Sequence, residues 1–98
     1  MVKELFASAR LVPQGPMAWY PYIPNPGARV YVLVRDGEVV YIGQDPHVGA
    51  KRLQQSETQQ SVRLWVYWAS TNDPSRDEAE MLRWFRRHFN QLPSGNYE

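Results

Sequence analysis

No cysteine occurs among the 98 residues. That excludes a disulfide framework, a zinc–thiolate centre and a thiol nucleophile, and an intracellular, cytoplasmic setting is the expectation. Charge of one sign is also missing. Eleven Lys and Arg against ten Asp and Glu leave a formal charge of +1, so no global basic field announces a polyanion. No apolar run approaches the ~20 residues that span a bilayer, and no signal-peptide pattern opens the chain, so no membrane association is expected. Repeats are absent too. What remains is one small mixed domain with a modest core.

The most informative stretch is Arg29 to Gly43. Two runs rich in β-branched and aromatic residues flank Asp36-Gly37, the strongest short hairpin signal a sequence offers. Both runs are apolar at nearly every position, so both faces of this hairpin need cover. Its register decides where Tyr31 and Tyr41 point. A two-residue loop at Asp36-Gly37 sends them to opposite faces. A three-residue loop through Arg35, or a bulge of equivalent effect, puts them on one face. A shared site for the two tyrosines requires the second arrangement.

Upstream, 2–11 reads as a short helix with Leu5, Phe6 and Ala9 inward. Pro13, Pro16, Pro21, Pro24 and Pro26 deny 12–27 both helix and central-strand status. Its aromatic residues Trp19, Tyr20 and Tyr22 predict an arm packed over the sheet. Downstream, Asp45-Pro46 opens a helix over about 47–55. A third strand follows at 62–70, then a long helix over 76–89 with Met81, Leu82, Phe85 and Phe89 inward. The expected fold class is α+β, a three-stranded antiparallel sheet flanked by helices. Residues 1–26 form the helix and arm, and 27–98 the domain proper.

Tyr31, Tyr41-Ile42-Gly43, Arg52, Glu80 and Pro93-Ser94-Gly95-Asn96, in that order, resemble the GIY-YIG nuclease domain. The resemblance covers roughly 27–96. It implies a divalent-metal-dependent endonuclease acting on DNA phosphodiesters. Tyr31 and Tyr41 would then stand beside the attacking water, Arg52 on the phosphate, and Glu80 on a single Mg2+. Gly43 and Asn96 would support the geometry. The chain departs from the family at Arg29-Val30-Tyr31, where Gly-Ile-Tyr is usual, and at Ser56, where many members carry His or Tyr. A catalytically silent module that binds nucleic acid or a protein partner is the alternative. An adaptor that merely shares the hairpin is a third reading.

These residue types suit the chemistry. Attack on a phosphodiester adds negative charge that a guanidinium and a metal answer. Magnesium held by one carboxylate completes its shell with waters and phosphate oxygens. A tyrosine with a pKa near 10 is a poor base unless a cation lies close. Two carboxylates compete for the metal. Ser75-Arg76-Asp77-Glu78 reads as a capping box, which gives Glu78 a structural task and favours Glu80 as the ligand. Arg83, Arg86, Arg87 and His88 complement the end of the helix dipole. They also form a candidate DNA-backbone track, with Lys51, Arg52, Arg83 and Arg87 as the contacts. Members of the family usually find their target through an attached DNA-binding domain, so a protein partner supplying recognition is a further expectation.

Overall fold

The computed structural model describes residues 1–18, 29–44 and 64–96. The elements are helix α1 (Val2–Ala7), strands β1 (Gln14–Ala18), β2 (Arg29–Arg35), β3 (Glu38–Gln44) and β4 (Trp65–Ser70), helix α2 (Pro74–Phe89) and a 3-10 turn at Ser94–Asn96. The expected helix at 47–55, with Lys51 and Arg52, lies outside the described residues, as do Trp19, Tyr20 and Tyr22.

The fold is α+β, and its sheet has four antiparallel strands in the order β1-β4-β2-β3, where three were expected. The additional strand, β1, comes from the proline-rich segment and pairs with β4 at the sheet edge. Proline removes a backbone donor, which an edge strand tolerates on its outward side and a central strand does not. The prolines therefore excluded a central strand correctly but not a marginal one.

Sheet cover divides by face. Val30, Val32, Val34, Val39, Ile42 and Ala69 share one core with Leu5 and Phe6 of α1 and with Met81 and Phe85 of α2. Tyr31, Leu33, Val40, Tyr41, Leu64 and Val66 form a second buried cluster. Strands buried on both faces explain why the hairpin lacks alternation.

Helix α1 is shorter than expected because the chain leaves it through a Schellman turn. The Leu11 amide donates to the Phe6 carbonyl and the Arg10 amide to that of Ala7, with Arg10 left-handed at φ 62°. Leu11 packs onto the core that holds Phe6, as this turn favours.

Helix α2 begins at Pro74, not at the expected Arg76. Asp73 is its N-cap, accepting a 3.2 Å hydrogen bond from the Arg76 amide, and Pro74 takes the first helical position. The expected capping box at Ser75 is therefore wrong, because a proline next to an aspartate outcompetes the serine. Glu78 has no capping task. Asp77, 3% exposed, is held by the Thr71 hydroxyl. Asn90, left-handed at φ 58°, ends the helix.

Replacing the true cap separates these alternatives. Asp73→Ala should cost about 1 kcal/mol, a fall in melting temperature of roughly 4–8 °C, whereas Ser75→Ala should leave helix stability nearly unchanged. Equal losses for the two variants in a thermal melt would restore the serine cap.

Candidate functional site

The β2–β3 hairpin combines the two registers that the sequence offered as alternatives. Asp36 and Gly37 both have positive φ, 52° and 79°, as a two-residue type I′ turn requires. Next to the turn, Arg35 faces Glu38 and Val34 faces Val39. Beyond it Leu33 faces Tyr41, Val32 faces Ile42 and Tyr31 faces Gly43, so β3 carries one extra residue, Val40. A bulge of this kind turns every later side chain to the other face. Tyr41 thereby leaves the helix-covered face and joins Tyr31, while Ile42 takes its place in the helical core.

The tyrosines sit diagonally, not directly opposite. Their ring centroids are 6.0 Å apart at 32°, within the range that aromatic pairs favour. Each residue is only 1% exposed. Gly43 lies beneath the pair. A Cβ there would stand 2.5 Å from Tyr41 Cε2 and 3.3 Å from Tyr31 Cζ. The glycine of Tyr41-Ile42-Gly43 thus serves space, since the Tyr41 ring occupies the volume that a side chain at 43 needs.

Asn96 secures the same strand from the side. β3 is a sheet edge, and the backbone of Ile42 needs partners there. The Ile42 amide donates to Asn96 Oδ1 at 3.0 Å, and Asn96 Nδ2 donates to the Ile42 carbonyl at 2.8 Å. One side-chain amide replaces a missing neighbouring strand. The backbone N–H of Asn96 donates to the carbonyl of buried Pro93, which anchors the turn. The Pro-x-x-Asn spacing therefore positions β3 at the central residue of Tyr-Ile-Gly.

The carboxylates divide on α2. Glu78 and Glu80 are two residues apart, so they project about 200° apart around the helix. Gln44, at the end of β3, donates from Nε2 to Glu78 Oε2 at 3.0 Å. Burial raises the pKa of the Tyr41 phenol above its ordinary value near 10, and the charge of Glu78 raises it further. Glu80 instead forms a 2.6 Å ion pair with Arg83, both partly exposed. It lines a cleft of about 390 Å³ with Ser8, Ala9, Arg10, Arg76 and Asp77, on the α1 side. Glu78, and not Glu80, is the carboxylate whose charge reaches Tyr41. Arg83, the partner of Glu80, and Arg87, one helical turn further on, share the Glu80 flank.

On that flank, Trp84 and His88 stack at 3.9 Å, and His88 Nδ1 is 2.9 Å from the Trp84 carbonyl. The hydrogen bond assigns the Nδ1 proton to that carbonyl, because a carbonyl only accepts. Among the described residues, no three His, Asp or Glu cluster as a multidentate metal centre. No described helix is long and apolar enough to cross a membrane. No protein-family model, curated protein or solved structure matches the chain.

Gly43→Ala should destabilise the fold by about 1–3 kcal/mol, since a buried ring must move. In a Tyr41→Ala background the same substitution should cost far less, which a double-mutant cycle of urea midpoints measures. An undiminished cost would show that something other than the ring excludes the side chain.

The raised Tyr41 pKa also fixes the sign of a pH effect. The folded state holds the phenolic proton more tightly than the unfolded chain. The contribution to stability is therefore complete below pH 10 and is lost as pH rises beyond it. Unfolding between pH 9 and 11 should show this decline, and Tyr41→Phe should flatten it.

Proposed function

We propose that the chain is a GIY-YIG-like endonuclease that hydrolyses DNA phosphodiester bonds with one magnesium ion. The observation that supports this most is the tyrosine pair over Gly43, brought to one face by the bulge and held from the edge by Asn96. Nothing in a simple hairpin requires a bulge, a buried phenol pair and an asparagine clamp at the same place. The expected setting is cytoplasmic, with a protein partner supplying target recognition.

Tyr31 and Tyr41 take the positions beside the attacking water. Burial and the Glu78 charge keep Tyr41 a neutral phenol. In that form it orients the water or donates to a phosphate oxygen. Arg52 supplies the guanidinium for the phosphate.

The metal carboxylate is Glu78 in preference to Glu80. Glu78 Oε2 accepts from Gln44, and its other oxygen has no hydrogen-bond partner among the described residues. A single carboxylate with one available oxygen fits magnesium, which fills its remaining positions with water and phosphate oxygens. When bound, the ion supplies positive charge against the developing phosphate charge. Glu80 is engaged by Arg83. Lys51, Arg52, Arg83 and Arg87 are the proposed nucleic-acid contacts.

The alternative, a catalytically silent module that binds nucleic acid or a protein, draws support from the same Glu80–Arg83 pair. A metal carboxylate at 80 would have to give up that arginine.

Nicking of supercoiled plasmid in magnesium tests both readings. Glu78→Gln should slow cleavage by roughly 10²-fold or more while DNA binding persists, and Arg52→Ala should weaken both. Glu80→Gln should cut at close to the wild-type rate. Loss of cleavage in Glu80→Gln alone would transfer the metal to Glu80. Wild-type protein that binds DNA but cuts none, with any divalent metal, would leave the silent module.

A further inference from the structure

We infer that Gln44 is a positioning residue that holds the Glu78 carboxylate at the tyrosine end of β3, ready for a divalent cation. The inference rests on the proposed metal role of Glu78.

Gln44 follows Gly43 and closes β3. It lies on the same face as Ile42, toward α2, while Tyr41 and Gly43 take the opposite face. That placement carries its amide to the first turns of the helix. Nε2 donates to Glu78 Oε2 at 3.0 Å and to Ser75 Oγ at 3.3 Å, and Oε1 is 3.4 Å from the same Ser75 oxygen.

The chemistry fixes the amide's sense. A carboxylate accepts only, so the NH2 group must face Glu78 and the carbonyl must turn toward the serine, whose hydroxyl can donate to it. Ser75 and Glu78 are three residues apart on one helix face, so a single amide spans both. Glu78 therefore has one oxygen occupied by a neutral donor and its charge intact. An arginine or lysine at 44 would occupy the carboxylate with an opposing charge, as Arg83 does for Glu80. A neutral donor orients the carboxylate without neutralising it.

Such outer partners of a ligand typically alter metal affinity by 10–100-fold. They do so by fixing the ligand's direction before the ion arrives, so that its ordering is not a cost of binding.

The test is a Mn2+ titration of the intact, metal-free chain, followed by paramagnetic broadening of the assigned backbone amides around Glu78. Wild type should show saturable broadening that Glu78→Gln abolishes. Gln44→Met keeps length and volume but lacks the donor, and should raise the midpoint about 10-fold. Ser75→Ala, which loosens the amide and leaves the Glu78 bond in place, should raise it less. All three variants should melt close to wild type. In nicking assays Gln44→Met should raise the apparent KM for Mg2+ more than it lowers kcat at saturation.

An unchanged midpoint in Gln44→Met beside Glu78-dependent binding in wild type would overturn the positioning role and spare the metal reading. Wild type without Glu78-dependent broadening would overturn both. Should Gln44→Met fail to fold, an unchanged midpoint in Ser75→Ala would count against the inference.

Discussion

The placement of the tyrosine pair depends on one unpaired residue, Val40. Without it, the register set by the Asp36-Gly37 turn would continue, Tyr41 would face Val32, and both would point into the core beneath the helices. With it, Ile42 fills that core and Tyr41 lies beside Tyr31. The exchange is favourable to packing. An aliphatic side chain takes the place of a phenol against Met81 and Phe85, and the phenol is buried beside Tyr31 in the cluster on the opposite face. Val40 itself joins the tyrosine cluster, so the extra residue is buried.

The sheet's two margins are managed by different means. At β3 the Asn96 amide supplies the donor and acceptor that a neighbouring strand would supply, so the edge is closed at Ile42. At the other margin β1 carries Pro16, which lacks a backbone donor and lies where the pairing with β4 is irregular. The β3 clamp has a consequence for chemistry. Strand β3 bears Tyr41, Gly43 and Gln44, and the Asn96 clamp holds the strand at Ile42, between them.

Much of this was legible in the residues, with particular failures. Asp36-Gly37 located the turn. The choice of face for Tyr41 was not decidable, because Val39, Val40, Tyr41 and Ile42 are all apolar and alternation leaves no trace of a bulge. The strand at Gln14–Ala18 was hidden for the opposite reason, since Pro16 within it and the prolines around it carry a strong local signal against strand that an edge position overrides. Glu78 was misread through its spacing from Ser75. Asp73-Pro74 is the stronger start signal, since the proline fixes the first helical position, and it leaves Glu78 outside the cap. Gln44 had no signal at all, because an amide's partner on a distant helix is set by the fold alone.

The two flanks of α2 then divide the chemistry by charge. Toward α1, Glu80 lies with Arg83 as a neutral pair, and an exposed pair of that kind contributes little to stability. Toward β3, Glu78 accepts from the neutral Gln44 amide, and its charge adds to burial in raising the pKa of the Tyr41 phenol. Positive charge brought to this end of β3 would act on both groups at once, since it balances Glu78 and offsets the smaller of the two influences on the phenolic proton, burial being the larger. Among the described residues no cation is hydrogen-bonded or ion-paired to Glu78. Arg52 and magnesium are the proposed sources of that positive charge.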